Sequence, residues 1–220
     1  MDRLIERVVE GGEASDLVAM ATLLYGLPRP AGKVDAVVVL PGLGEDWRLI
    51  DGIHAWNGSS LARHLMIAGI FDGEKTKVQP TVEYLSGKPF NLERAEGVRI
   101  QPHAHHTKEQ AEWVVENVRK HGISSIALFV SPYHLLRAYC TVLKAFIKAD
   151  HQVAIIPMPV AVSPSTQIPE VGVDAWTMSS GEVERIIKYQ KLDDVATKDE
   201  LKDYLAWLCS QPIMAAALHG

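Results

Sequence analysis

Five short aliphatic runs recur along this chain, and each is separated from the next by a stretch with helical spacing. That alternation restricts the fold more than any other feature. The runs are VDAVVVL (34–40), HLMIAGI (64–70), GVRIQP (97–102), ISSIALFV (123–130) and QVAIIPMPV (152–160). A nearly continuous apolar run fits a parallel strand covered on both faces, because a strand with one wet face alternates instead. Strands joined through helices imply right-handed crossovers. The expected architecture is α/β: a doubly wound, mainly parallel five-stranded sheet with helical additions at both ends.

The helical segments are ASDLVAMATLLY (14–25), the first half of IDGIHAWNGSSLARH (50–64), a stretch around TVEYLS (81–86), and about Thr107 to Lys120. LLRAYCTVLKAFIKA (135–149), EVERIIKYQ (182–190) and ELKDYLAWLCS (200–210) follow. Ser179 or Ser180 is the expected cap of EVERIIKYQ, and Thr107 with Gln110 three residues on reads as a capping box. The chain of 220 residues suits one domain. Within it, 1–33 is a helical N-terminal segment that ends at the proline-rich GLPRPAGK, 34–160 the core sheet, and 161–220 a helical C-terminal segment.

Charge narrows the partners. A net charge of -5 and a pI near 6.0 argue against a general attraction to nucleic acid or anionic membrane, while a local basic pocket stays compatible with phosphate. The opening MDRLIERVVEGGEASD lacks the apolar centre of a signal peptide, and no later segment supplies about 18 uninterrupted apolar residues. The expected compartment is the cytoplasm, and a homo-oligomer is compatible with the sequence. The two cysteines, Cys140 and Cys209, lie in helical segments and read as buried thiols rather than a disulfide or zinc site.

In open parallel sheets the binding crevice lies outside the carboxyl ends of the strands, where the strand order reverses. Four strand exits carry polar or glycine-rich chemistry here: PGLGEDWR, AGIFDGE, HAHHTKEQ and SPYHLLR. In the first, Gly42 and Gly44 permit a close approach of backbone N–H groups to an anion, and Arg48 offers a fork of donors or else pairs with Glu45 or Asp51 at the surface. In the second, Asp72 and Glu74 stand where an acidic group meets a ribose hydroxyl. In the third, Thr107 and Gln110 open a helix toward the crevice, with His105 or His106 as proton donors. No H-E-x-x-H spacing follows, so no metal is expected; a metal-dependent hydrolase using His103, His105 or His106 stands as an alternative. In the fourth, Ser131 and Tyr133 are hydrogen-bond donors to a ligand, His134 is the general acid or base, and Arg137 neutralises an anion. The G-x-S-x-G elbow of a serine hydrolase is missing. Trp176 is placed to close over a planar ligand or to staple a loop.

Gly42, Gly44 and Arg48, then Thr107, Glu109, Gln110 and Ala111, then Ser131, Tyr133, His134, Arg137 and Ala138 together resemble the motif order of the DUF218, or YdcF-like (SanA-like), family. The resemblance covers roughly 34–160. It departs at Ala68, Gly69 and Ile70, where Ser-Gly-Gly is usual, and at His106, where Asn is usual. It implies a Rossmann-like fold and a nucleotide-like ligand, with S-adenosylmethionine binding in at least one branch. The expected function is an enzyme that acts by transfer or hydrolysis on an anionic or nucleotide-like small molecule. A non-catalytic protein that binds S-adenosylmethionine or a nucleotide is the other reading.

Overall fold

The computed structural model describes residues 13–27, 33–58 and 62–214; the charged opening stretch and most of the expected proline-rich break lie outside them. The described elements are α1 (Glu13–Tyr25), β1 (Ala36–Val39), α2 (Asp46–Gly58), β2 (His64–Ile67), α3 (Val82–Ser86), β3 (Val98–Ile100), α4 (Thr107–His121), β4 (Ser125–Val130), α5 (Pro132–Lys148), β5 (Ala154–Pro159), α6 (Ala175–Lys191) and α7 (Lys198–Ser210). All five apolar runs form strands. They make one sheet in the order β3-β2-β1-β4-β5, every pair parallel. The fold is a doubly wound α/β sheet with flanking helices.

Burial explains why β1 and β4 read as continuous apolar runs. Every residue of both strands is buried. Val39 and Phe129 are register partners between them, and α2 lies close above both. A Cβ on Gly52 of α2 would fall 2.3 Å from Val39 Cγ2, so glycine is what permits this approach. On the sheet's β4–β5 side, α5 packs on both strands and is flanked by α4 and α6, while α1 packs against α5 and α7. β5 is an edge strand, which accommodates the missing N–H groups of Pro157 and Pro159. Tyr204 of α7 covers part of that edge: its hydroxyl accepts from Ile155 N at 2.7 Å and donates to Val153 O at 2.8 Å.

Several expected boundaries move. α6 begins at Ala175, because the Asp174 carboxylate accepts from Thr177 N at 2.8 Å; Ser179 and Ser180 are interior residues rather than caps. α4 is capped by His106, whose Nδ1 accepts from Glu109 N, so Thr107 is the first helical residue and forms no capping box with Gln110. α2 starts at Asp46 and thus carries Trp47 and Arg48 in its first turn. Cys140 is buried as expected, whereas Cys209 is only partly so. No helix among the described residues is long and apolar enough to cross a membrane.

Candidate functional site

The strand order reverses between β1 and β4, which pair with each other and then run outward to β2–β3 and to β5. A crevice of about 250 Å³ opens at their carboxyl ends. Gly42, Arg48, Glu74, His105, His106, Thr107, Gln110, Tyr133, His134 and Arg137 all line it, whereas Gly44, Asp72, His103 and Ser131 do not. Asp72 is instead ion-paired with Lys77 on an exposed turn. Trp176 lies outside the crevice and is 75% exposed, so it neither closes over the site nor staples a loop.

Beneath the crevice floor is a buried polar layer built on Glu45. Its carboxylate accepts from Arg48 Nε at 2.7 Å, from Trp47 Nε1 at 3.1 Å, and from the hydroxyls of Ser131 and Tyr133. Arg48 also donates to Leu40 O at 2.9 Å and to the Tyr133 hydroxyl at 3.2 Å. Arg48 and Glu45 are nearly without solvent contact, so the expected surface ion pair is a buried one. Its guanidinium ties the β1 exit to the β4 exit; Ser131, fully buried, is taken up in the same layer.

Gly42, Leu43 and Gly44 all have positive φ, at 149°, 58° and 70°. Successive left-handed residues turn their N–H groups toward one point, which makes a cradle for an anion. The anion they hold belongs to the chain: Leu43 N donates to Glu74 Oε2 at 2.7 Å. Burial raises the Glu74 pKa, partly offset by these backbone donors. Gln110 is likewise committed, its amide donating to Pro41 O at 3.0 Å and Gly69 O at 2.7 Å, which fastens α4 to the exits of β1 and β2.

The second polar cluster faces the crevice and centres on Glu182 of α6. This carboxylate accepts from His134 Nδ1 at 2.8 Å, Arg137 Nε at 2.5 Å, Arg137 Nη2 at 3.2 Å and Arg185 Nη1 at 2.8 Å. A carboxylate bound to two guanidiniums can only accept, so the Nδ1 of a neutral His134 carries the proton. His134 Nε2 is then left with a free lone pair and no hydrogen bond among the described residues. Burial, reinforced by the Arg137 charge, lowers the His134 pKa to about 4. Burial opposes the charged form of Glu182 as well, but His134 and Arg137 outweigh it and hold the carboxyl well below its ordinary range. Arg137 Nη1 completes the cluster by donating to Thr107 Oγ1 at 3.1 Å.

His105 and His106 stand at the rim, each more than half exposed. Glu109 reaches back to both: it accepts from His105 N at 2.7 Å and lies 2.9 Å from His105 Nδ1. Among the described residues no three His, Cys, Asp or Glu side chains converge as a metal-binding set.

Sequence reasoning missed Glu182 and Arg185, and it named Glu45 only as a surface partner of Arg48 rather than as the centre of a buried layer. Glu182 did leave a signal: it precedes Ile186 and Tyr189 by four and seven residues, so it is an acid on the inward face of its helix. The C-terminal segment therefore completes the crevice. In comparisons with known proteins, no family model matches the chain and neither does any curated protein.

Proposed function

We propose that this protein is an enzyme that transfers or hydrolyses a group on a small anionic or nucleotide-like molecule, with His134 moving the proton. The observation that carries this reading is the Glu182–His134 pair: His134 lines the crevice, its Nδ1 is fixed on a buried carboxylate, and its Nε2 has no hydrogen bond among the described residues. A neutral imidazole held in one tautomer acts first as a base, taking a proton from water or a substrate hydroxyl and later returning it to the leaving group. A bound anion raises its basicity, because negative charge beside the ring favours the imidazolium. Ser131 makes a poor nucleophile in this scheme, since it has no exposed surface and its hydroxyl is engaged by Glu45.

Kinship with the YdcF-like proteins belongs to the same proposal. It is supported by the convergence of Thr107, Tyr133, His134 and Arg137, far apart in the chain, on one crevice. Of the ligands that kinship implies, a nucleotide-like anion suits the paired guanidiniums better than the sulfonium of S-adenosylmethionine.

The test is thermal unfolding against nucleotides, S-adenosylmethionine, phosphorylated sugars and divalent metals, followed by turnover assays on whatever binds. A ligand at ~100 times its Kd adds about 2.7 kcal/mol to the native state. Expected are a shift with an anionic class, loss of turnover with retained affinity in His134→Ala, and loss of affinity in Arg137→Gln. Binding without turnover would leave the protein a sensor rather than an enzyme, and turnover that survives His134→Ala would remove the proposed base.

A further inference from the structure

A second cavity, about 260 Å³, adjoins the crevice where α4, α5 and α6 meet. The two share His106, Thr107, Arg137 and Arg185, and these four side chains form a waist between two lobes. The first lobe is lined by His134. The second is walled by Thr141, Tyr189 and Val195, with Asp194 at its edge, and has no role in the chemistry described so far.

The charges at the waist do not balance. Arg137 and Arg185 both donate to Glu182, so two guanidiniums face one carboxylate, and His134 beside them is neutral. Lys108 is matched by Asp194 at 2.8 Å. Arg185 uses one Nη nitrogen on Glu182 and its side chain is 45% exposed, so it keeps donors for a ligand. Arg137 spends Nε and one N–H of each Nη on protein, leaving two N–H groups. Size points the same way. Pockets for small organic ligands begin near roughly 300 Å³, a volume neither lobe reaches alone and the joined lobes exceed.

Resting on the functional reading above, we infer that the substrate is a phosphate ester that spans both lobes: its phosphate lies at the waist between Arg137 and Arg185, and its planar organic part lies against Tyr189 and Val195. The ester linkage then faces His134 across the waist. Arg185 is the residue that selects for the phosphate and Tyr189 the one that selects for the organic group.

Isothermal titration with two probes, inorganic phosphate and adenosine 5′-monophosphate, tests this on the full chain. In the unsubstituted protein the ester is expected to bind at least tenfold tighter than phosphate. Tyr189→Ala, at a half-buried position whose hydroxyl has no hydrogen bond among the described residues, is expected to remove about tenfold of the ester's affinity, the scale of one base–aromatic stack, and to leave phosphate unchanged. Arg185→Gln, at an exposed position, is expected to weaken both probes about tenfold or more, as loss of a charged donor does. Equal affinity for the two probes, or equal loss of both in Tyr189→Ala, overturns the two-lobed substrate while leaving an anion site at the waist. Binding of both probes that is indifferent to Arg185→Gln overturns the waist. Failure of both probes to bind at millimolar concentration removes the inference together with the anionic ligand on which it rests, whereas His134-dependent turnover of an anionic compound that is not a phosphate ester removes the inference alone.

Discussion

Replacing Glu182 by Gln should destabilise the protein far more than a surface substitution on α6 would. The side chain is only 5% exposed and accepts from four N–H donors on three residues. Glutamine offers one acceptor oxygen, and its amide nitrogen brings two further hydrogens toward groups that are themselves donors. Breaking a buried ion pair by removing one partner costs about 3–5 kcal/mol. Arg137 keeps 15% of its surface and Arg185 keeps 45%, so water from the crevice solvates part of the orphaned charge, and the lower end applies. For a chain of this length about 3 kcal/mol lowers Tm by roughly 6–12 °C. The assay is thermal unfolding followed by circular dichroism at neutral pH, with a urea titration as a check that the transition is two-state. A paired variant isolates the cause. Glu182→Leu with Arg137→Met removes the charge on both sides and should recover most of the stability lost in Glu182→Leu alone, since an apolar replacement of a buried pair is often neutral or better. A loss below about 1 kcal/mol in Glu182→Gln would rank the cluster with exposed ion pairs and refute the argument.

Arg48→Ala should cost about 3–5 kcal/mol in urea unfolding, because it strands the fully buried Glu45 carboxylate among hydroxyl and indole donors; a cost near that of a surface arginine would contradict the buried layer. Gly52→Ala should cost about 1–3 kcal/mol, since the new methyl would meet Val39 Cγ2 at 2.3 Å, and an unchanged Tm would mean that α2 and the sheet separate at little cost. Acid should weaken the fold in two steps. His134 titrates near 6.5 when unfolded and about 4 when folded, so between those values the unfolded chain binds more protons and stability falls as pH falls, by about 3 kcal/mol in all. Glu182, whose folded pKa is also depressed, adds a further loss below its ordinary value of 4.5. Urea midpoints from pH 7 to pH 4 measure the first step, and His134→Gln should flatten it.

The sheet was legible because strands buried on both faces leave an unmistakable record: runs such as VDAVVVL and ISSIALFV have no polar face to interrupt them. The ends of elements were less so, since they depend on which local hydrogen bond wins. Two serines in VDAWTMSSGE suggested a cap, yet Asp174 captures Thr177 N five residues earlier, and the serine hydroxyls turn back to Ala175 O and Thr177 O inside the helix. At β2 the run continues through Ala68 to Ile70, but the ladder ends at Ile67; Gly69 N turns to the Gln101 side chain instead, and a Cβ at Gly69 would strike the backbone of His103 at 2.3 Å.

The donors of the candidate site could be read from strand exits, whereas, apart from Glu45 beside Arg48, their acceptors could not, because the pairs are distant in sequence. Ser131 and Tyr133 meet Glu45 across more than 80 residues, and His134 meets Glu182 across 48. Taken singly, Arg48 and Arg137 look equivalent: each is a guanidinium at a strand exit near a predicted anion. In the fold each has a carboxylate of its own, and what separates them is the ratio. Among the described residues Glu45 serves no guanidinium but Arg48, in a layer almost without solvent contact, so that charge is spent on joining β1 to β4. Glu182 is divided between Arg137 and Arg185 at the edge of an open crevice, so two guanidiniums share one carboxylate there. Whether an arginine's charge is spent on the fold, and so whether it suits the proposed anion site, thus depends on how many carboxylates the fold gathers around it, a property of three elements together that no local motif encodes.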